Sequence, residues 1–254
     1  MRKWIKLRDL PKKDRIFRIV NLGFMTLQFL ACVGLAIYYS CIGDPNNRLL
    51  TSIGMAFVMV LPLLLELIFK RRLTNILFLL YQIYALIAGL IGSVLNVYYL
   101  VSWYDIFVHC LAGYIFALAG IFVVSRVQDY KKLNKWLVLL FAFCFTMTCE
   151  LVWELGEWFS DLFLNQTAQG IPIEGQTAPL VTDTMLDIFC NFSGGLVFAL
   201  QFIIGKTTKC SLGINFLERE LVLKRYDESL PKVNMSLNNV LAVSDNDEEV
   251  QKKE

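Results

Sequence analysis

The only histidine in the chain, His109, lies in a strongly apolar region, one helical turn after an acidic residue, Asp105. Two later apolar segments also carry acids at helical spacing. These acids are Glu150, Glu154, Glu157 and Asp161 in one segment, and Asp183 and Asp187 in the other. A charged residue at mid-membrane costs roughly 2.5–3.5 kcal/mol, so acids at this density need protons, partner groups, water or a metal ion. We therefore expect the functional site to lie among these residues.

Helical geometry predicts that these side chains meet. At 100° per residue, the four acids of the first segment fall in a stripe roughly 60° wide on one helix face. Each of the residues His109, Glu157 and Asp187 lies about 6 Å from the outer end of its segment, so we expect the three at one depth. Glu154 then lies about one turn deeper and Glu150 about two turns deeper, and Asn191 extends the polar face of the last segment.

The residue types indicate a metal site. One histidine with several carboxylates is typical of Mn²⁺, Zn²⁺ or Fe²⁺, whereas an all-oxygen subset suits Mg²⁺ or Ca²⁺. The predicted metal ligands are His109, Glu154, Glu157, Asp187, Asp105 and Asp183, and Glu150 is predicted to be a catalytic general base or acid. A single histidine excludes an HExxH zincin motif, a two-histidine facial triad within one chain and a bis-histidine haem. A Ser-His-Asp arrangement through Ser102, Ser160 or Ser193 stays open, although no nucleophile motif surrounds these serines.

Composition defines the elements that must position these residues. The chain has 254 residues, 56% of them hydrophobic, with a mean hydropathy of +0.54, which indicates an integral membrane protein. We predict an all-α fold with six transmembrane helices of about twenty residues or more. The predicted spans are Ile16–Ile42, Leu49–Phe69, Thr74–Val101, Asp105–Val127, Trp136–Phe163 and Asp183–Gly205. Residues 1–205 form the membrane domain, and residues 206–254 form a polar cytoplasmic tail, partly disordered.

Lysine and arginine are distributed unevenly between the two sides of the predicted bundle. They cluster before and at the start of the first span, at Lys70–Arg72, and between Arg126 and Lys135, whereas the opposite loops contain only Arg48. The positive-inside rule therefore predicts cytoplasmic termini and a polar site in the outer half of helices four, five and six. The first apolar segment is predicted to be an uncleaved span, because no small-x-small cleavage site follows it.

Several residues have a structural interpretation. Glu66 lies four residues before Lys70 and is predicted to form an ion pair with it near the membrane surface. Asp183 is a candidate cap for the sixth span, and Gly194-Gly195 is predicted to permit close helix approach. The seven cysteines show no CxxC spacing, so neither a disulfide framework nor a thiolate metal site is expected.

The segment Phe216–Leu223 is amphipathic and is predicted to rest on the membrane or on the bundle.

The assembled motifs resemble the YjdF-like family of small bacterial inner-membrane proteins of unknown function. The resemblance depends on Tyr104-Asp105-x3-His109 with Gly113, on Glu150-x3-Glu154, and on Thr182-Asp183-Thr184-Met185-x-Asp187 with Gly194-Gly195. It covers the membrane core and not the C-terminal tail. It implies a plasma-membrane location and a shared polar site, and it implies no particular substrate.

Three functions fit these observations. The first is a metal-dependent enzyme that acts on a lipid or lipid-linked substrate at the outer leaflet, with the Leu164–Thr182 loop as a lid. The second is a cation- or proton-coupled transporter in which Glu150 and Glu154 change protonation, although the inner half shows only Glu66 and no broken helix is evident. The third is a non-catalytic scaffold or sensor that holds a structural cation. The expected partner is the lipid bilayer, and no basic-aromatic pattern suggests nucleic acid.

Overall fold

The computed structural model describes residues 6–43, 48–164, 166–169, 179–208 and 210–223. Eight α-helices occur in these ranges, and no strand is found among the described residues. They are α1 (Lys12–Ile42), α2 (Arg48–Phe69), α3 (Asn75–Ala85), α4 (Val97–Leu100), α5 (Tyr104–Val127), α6 (Lys135–Leu164), α7 (Pro179–Thr207) and α8 (Ile214–Glu218). Two π-helical segments, Leu86–Val94 and Arg219–Leu223, continue α3 and α8.

Six of these helices are long and apolar enough to cross a membrane, which confirms the six predicted spans. The third span differs at its end: it was expected to reach Val101 but stops at Val94. Asn96 has a left-handed backbone (φ 66°), which interrupts the helix before α4. The expectation that no helix is broken was therefore wrong for the third span, because a π-helical segment followed by a left-handed asparagine leaves little trace in hydropathy.

The sixth span begins earlier than predicted. Helix α7 starts at Pro179, a residue type that favours the first helical position because its fixed φ suits a helix and its missing N–H is not needed there. Asp183 therefore lies inside the helix, and the prediction that it caps the span was wrong.

The spans form two groups of three, α1–α2–α3 and α5–α6–α7, with contacts between α3 and α5. In the first group, polar side chains of α1 recur every three to seven residues along one buried face. Asn21 Nδ2 donates to the Asn75 carbonyl at 2.9 Å, and Gln28 Nε2 donates to Gln82 Oε1 at 3.4 Å. The first of these contacts joins the start of α1 to the start of α3, at the end of the bundle that carries most lysines and arginines, which we call the basic end. The second lies further along both helices.

Glu66 pairs across helices at the basic end. Its carboxylate forms an ion pair with Arg18 of α1, and both side chains are only 1% exposed. Glu66 Oε1 also accepts from the Leu73 N–H at 2.8 Å. The predicted surface pair with Lys70 was wrong, because Glu66 continues the buried stripe of α2 formed by Ser52, Ala56, Met59 and Pro62.

Glycines set the approach of α5 and α7. A Cβ atom built on Gly113 would lie 2.0 Å from the Asn191 carbonyl oxygen, and one on Gly194 would lie 1.9 Å from the Cys110 carbonyl oxygen. Any side chain here would thus collide with backbone, which confirms the predicted role of the glycine pair. Below this crossing, toward the basic end, the group is closed by an apolar core. Its buried members include Ala117, Leu118, Ile121, Val138, Ala142, Phe198 and Phe202.

The segment after α7 packs on the bundle. Ile214, Leu221 and Val222 are buried in the apolar core, and the Arg126 guanidinium donates to the Leu221 and Val222 carbonyls at 3.0 and 3.1 Å. The Tyr130 hydroxyl donates to Glu218 Oε1 at 2.6 Å. Burial, reinforced by this carboxylate, raises the pKa of Tyr130, so the phenol stays a donor. Of the two predicted locations for this segment, the bundle is the observed one, and the predicted tail beyond residue 223 lies outside the described residues.

Candidate functional site

His109 lies on the second turn of α5 and is only 4% exposed. Its Nδ1 atom lies 2.6 Å from Glu150 Oε1 of α6. On the other side of the ring, Nε2 lies 3.4 Å from Asp105 Oδ1 of α5 and 3.9 Å from Asp187 Oδ1 of α7. Three helices thus contribute carboxylates around one imidazole.

The two ring nitrogens of His109 have different environments. The Nδ1 contact has the short length of a charge-assisted hydrogen bond. Both Nε2 contacts exceed ordinary N–H···O lengths, which run from about 2.7 to 3.2 Å. Two ligand atoms at about 2.0–2.2 Å from one ion lie at most about 4.4 Å apart, so both Nε2 separations fit a shared cation. The Nδ1 side therefore forms a hydrogen bond, and the Nε2 side has the spacing of a metal site.

Glu150 is hydrogen-bonded at both carboxylate oxygens. Its Oε2 accepts from Asn191 Nδ2 at 2.7 Å, and Asn191 Oδ1 in turn accepts from Thr146 Oγ1 at 3.2 Å. The side chains of all three residues are buried. Sequence reasoning missed Thr146, although it lies four residues before Glu150 and therefore on the acidic face of α6. Its helical spacing was the signal that would have found it.

Glu154 has a contrasting environment one turn further along α6. The residue is 4% exposed, and both of its carboxylate oxygens are buried and accept no hydrogen bond from the described residues. The neighbouring Thr184 hydroxyl, which accepts from Gln169 Nε2 at 3.0 Å, interacts with this carboxylate without reaching the geometry of a normal hydrogen bond. A buried carboxylate this weakly solvated is unfavourable, so it favours a proton or a cation.

Two sets of three side chains bring their ligand atoms within 4.8 Å of one another, and they share His109. One set contains Asp105 and Asp187, and the other contains Glu150 and Glu154. Four carboxylates thus surround one imidazole in a membrane-spanning region, an excess of negative charge that a divalent cation would offset. Asp105 is the most accessible member, with 35% of its side chain exposed, so it marks the opening of the cluster.

The other predicted ligands, Glu157 and Asp183, lie outside both sets. Glu157 accepts from Trp153 Nε1 at 2.8 Å and is partly exposed. The expected contact of His109 at the depth of Glu157 is not observed: His109 contacts Glu150 and shares a set with Glu154, whereas Glu157 is in neither set. The expected depths were counted from the outer end of each helix, on the assumption that all helices end at one level. Helix α6 continues to Leu164, four turns beyond Glu150, so its acidic stripe is displaced outward relative to α5.

Asp161 binds the backbone of the segment that follows α6. Its two carboxylate oxygens accept from the Ala168 N–H at 2.7 Å and from the Gln169 N–H at 2.9 Å. The Tyr99 hydroxyl donates to the Thr167 carbonyl at 2.8 Å. The described part of the predicted lid loop is therefore fixed to the bundle, while residues 165 and 170–178 lie outside the described residues.

Two of the three serines considered, Ser160 and Ser193, donate to backbone carbonyls. Ser160 Oγ donates to the Glu157 carbonyl at 2.9 Å, and Ser193 Oγ donates to the Phe189 carbonyl at 2.8 Å. Both ring nitrogens of His109 face carboxylates instead. The arrangement does not support a Ser-His-Asp mechanism.

Comparison with protein families identifies this chain. The family model described as "Predicted membrane protein (DUF2238)" matches residues 24–207, which is more than half of the chain, so the protein belongs to this family. The match confirms the resemblance to YjdF-like proteins that the motifs predicted. Comparisons with curated proteins and with solved structures returned no match. The family description names a membrane protein without an activity, so a function has to be argued from the site.

Proposed function

We propose that this member of the DUF2238 family is a divalent-cation-dependent enzyme of the plasma membrane that acts on a lipid or lipid-linked substrate at the outer leaflet. The observation that carries the proposal is the Nε2 side of His109, where Asp105 and Asp187 lie at ligand spacing. The carboxylate of Glu154 joins His109 and Glu150 in the second set. A mixed nitrogen and oxygen ligand set favours Mn²⁺, Zn²⁺ or Fe²⁺.

The side chains divide into two roles. His109, Asp105 and Asp187 would hold the cation, which would supply Lewis-acid chemistry toward an oxygen of the substrate or a water molecule. Glu154 would be the carboxylate that accepts a proton during the reaction, because neither of its oxygens is held by a hydrogen bond of normal geometry from the described residues. Glu150, with both oxygens engaged, is unsuited to that step.

The surroundings of the opening support a lipid substrate. Asp105, the exposed member of the cluster, is flanked on the chain by the exposed apolar side chains of Trp103, Ile106 and Phe107. In a membrane, such a surface faces acyl chains and interfacial headgroups. A lipid diffusing in the leaflet can therefore bring its polar headgroup to Asp105 without leaving the bilayer.

The packing toward the basic end favours an enzyme over a transporter. An ion path through α5, α6 and α7 would need polar groups beyond Thr146 and Asn191, but the apolar core of Leu118, Ala142 and Phe198 lies between them and the basic end. The buried charges Arg18 and Glu66 belong to the other group of helices and neutralise each other. Among the described residues, the site thus has its polar opening at one end.

Cation binding gives a direct test. We expect Mn²⁺ or Zn²⁺ to raise the thermal midpoint of the detergent-purified protein, because the unfolded chain has no assembled site. At a concentration of 100 times the Kd, the stabilisation is about 2.7 kcal/mol. His109→Ala and Asp187→Asn should remove most of this rise and most of the metal found by elemental analysis.

Two neighbouring acids provide matched controls. Glu157→Gln and Asp183→Asn each remove one acid near the cluster but outside the two sets, so both variants should keep the response to metal. A wild-type protein that neither contains nor responds to divalent cations would contradict the proposal and favour proton-coupled transport. A loss in Glu157→Gln as large as that in Asp187→Asn would show that the ligand set is wrong.

The orientation is tested separately. The distribution of lysine and arginine supports cytoplasmic termini and a cluster that opens on the outer side. Reporter fusions at Lys132 and at Gly170 should therefore report opposite sides, with Lys132 inside. Signals from the same side would overturn the six-span topology, and an inverted pair would move the proposed site to the cytoplasmic leaflet.

A further inference from the structure

We infer that Thr146 and Asn191 are positioning residues that act through Glu150, keeping a proton on His109 Nδ1 and leaving Nε2 to face Asp105 and Asp187. The cation-binding role of Nε2 depends on the proposed function. The position of the proton does not, because it is a property of the metal-free protein.

The direction of the hydrogen bonds follows from what each group can donate. The Thr146 hydroxyl donates to Asn191 Oδ1 at 3.2 Å, so the amide oxygen of Asn191 is engaged. The amide nitrogen can only donate, and it donates to Glu150 Oε2 at 2.7 Å. A carboxylate only accepts, so we assign the donor at 2.6 Å from Glu150 Oε1 to the Nδ1–H of His109. Each contact thus fixes the next one.

Burial makes this chain of hydrogen bonds restrictive. Thr146 and Asn191 are fully buried, and Glu150 is 2% exposed, so water does not offer these groups alternative partners. Hydrogen bonds in such an environment are stronger, and an unpaired group is more costly. A carboxylate that receives the second ring N–H of a metal-binding histidine fixes the tautomer and the ring orientation. Glu150 has that geometry, and Thr146 and Asn191 hold Glu150 in place.

The single histidine makes the proton directly observable. Labelling with [¹⁵N]histidine marks only His109, so NMR of the full-length, metal-free protein reports one imidazole. We expect a slowly exchanging proton on Nδ1, shifted downfield by its short hydrogen bond to Glu150. In Thr146→Val, which removes the hydroxyl while keeping the shape, this resonance should move upfield and exchange faster. The affinity for Zn²⁺ should fall about 10-fold, at the lower end for such outer partners.

Two further variants separate positioning from structure. Thr146→Ser restores a hydroxyl and should restore the resonance. Thr148 is an exposed residue of the same helix, and its hydroxyl donates to the Cys144 carbonyl. Thr148→Val removes that hydroxyl and should leave the resonance unchanged. Thermal midpoints of all variants show whether each one folds. If Thr146→Val does not fold, Asn191→Gln is used instead. This variant keeps an amide group but displaces it, and the Nδ1 proton resonance should again move upfield.

The outcomes distinguish this inference from the proposed function. A proton on Nδ1 that depends on Thr146, in a protein that takes up no Zn²⁺, would support the positioning role and reject the cation site. A resonance that is identical in wild type, Thr146→Val and Thr148→Val would overturn the positioning role even if Zn²⁺ binds. A proton absent from Nδ1 in the wild type would overturn it as well.

Discussion

Gly113→Ala is expected to destabilise the protein by about 3 kcal/mol, near the upper end for overpacked cores, and to disassemble the His109 cluster. The new methyl group would lie 2.0 Å from the Asn191 carbonyl oxygen and 2.8 Å from the Gly195 nitrogen. Both are backbone atoms, so no side-chain rotation relieves the collision, and α5 must move away from α7. His109 and Asp187 then separate, because they belong to these two helices. Thermal unfolding and the response to Zn²⁺ measure the two effects.

Gly156→Ala is the matched control. It also replaces a glycine within a long helix, α6, but a Cβ at this position meets no atom within 4 Å among the described residues. Replacing glycine by alanine inside a helix favours the helix by about 1 kcal/mol, so this variant should be neutral or slightly stabilised. Equal stability of Gly113→Ala and Gly156→Ala would show that α5 and α7 are not in the close contact described.

Glu66→Gln is expected to destabilise the protein by about 3–5 kcal/mol, the usual cost of breaking a buried ion pair. The amide still accepts from the Leu73 N–H, but the guanidinium of Arg18 loses its counter-charge while it remains buried. Its contact with the Phe78 ring, 4.3 Å from the centroid, does not replace a carboxylate. The midpoint of unfolding by heat or by denaturing detergent should fall accordingly.

Two variants make the ion-pair test specific. Lys70→Met removes the cation that helical spacing alone would pair with Glu66, and it should have little effect, because Lys70 is exposed. The double variant Arg18→Met with Glu66→Leu leaves no charge unpaired, so it should be milder than Glu66→Gln alone. A Lys70→Met variant as unstable as Glu66→Gln would instead restore the surface pair predicted from the sequence.

The six spans and the identity of the acidic stripe followed from the sequence, because both depend on short-range geometry. About twenty apolar residues are needed to cross a bilayer, and a rotation of 100° per residue decides which side chains share a face. Glu150 and Glu154 could be assigned to one face of α6 on this basis. The same reasoning placed His109 and Asp187 on helices that had to bring their polar groups together.

The partners of these residues were decided only by tertiary structure. The sequence does not say how far one helix is displaced along another, so both Glu154 and Glu157 were predicted as partners of His109, and Glu150, predicted two turns deeper, is the residue it contacts. Glu66 was likewise matched with a neighbour in the chain, whereas its partner is Arg18, 48 residues away. The displacement is set where helices touch, as at Gly113 and Gly194, because backbone can approach backbone only where no Cβ intervenes. Such contacts join residues far apart in the chain, and local periodicity carries no information about them.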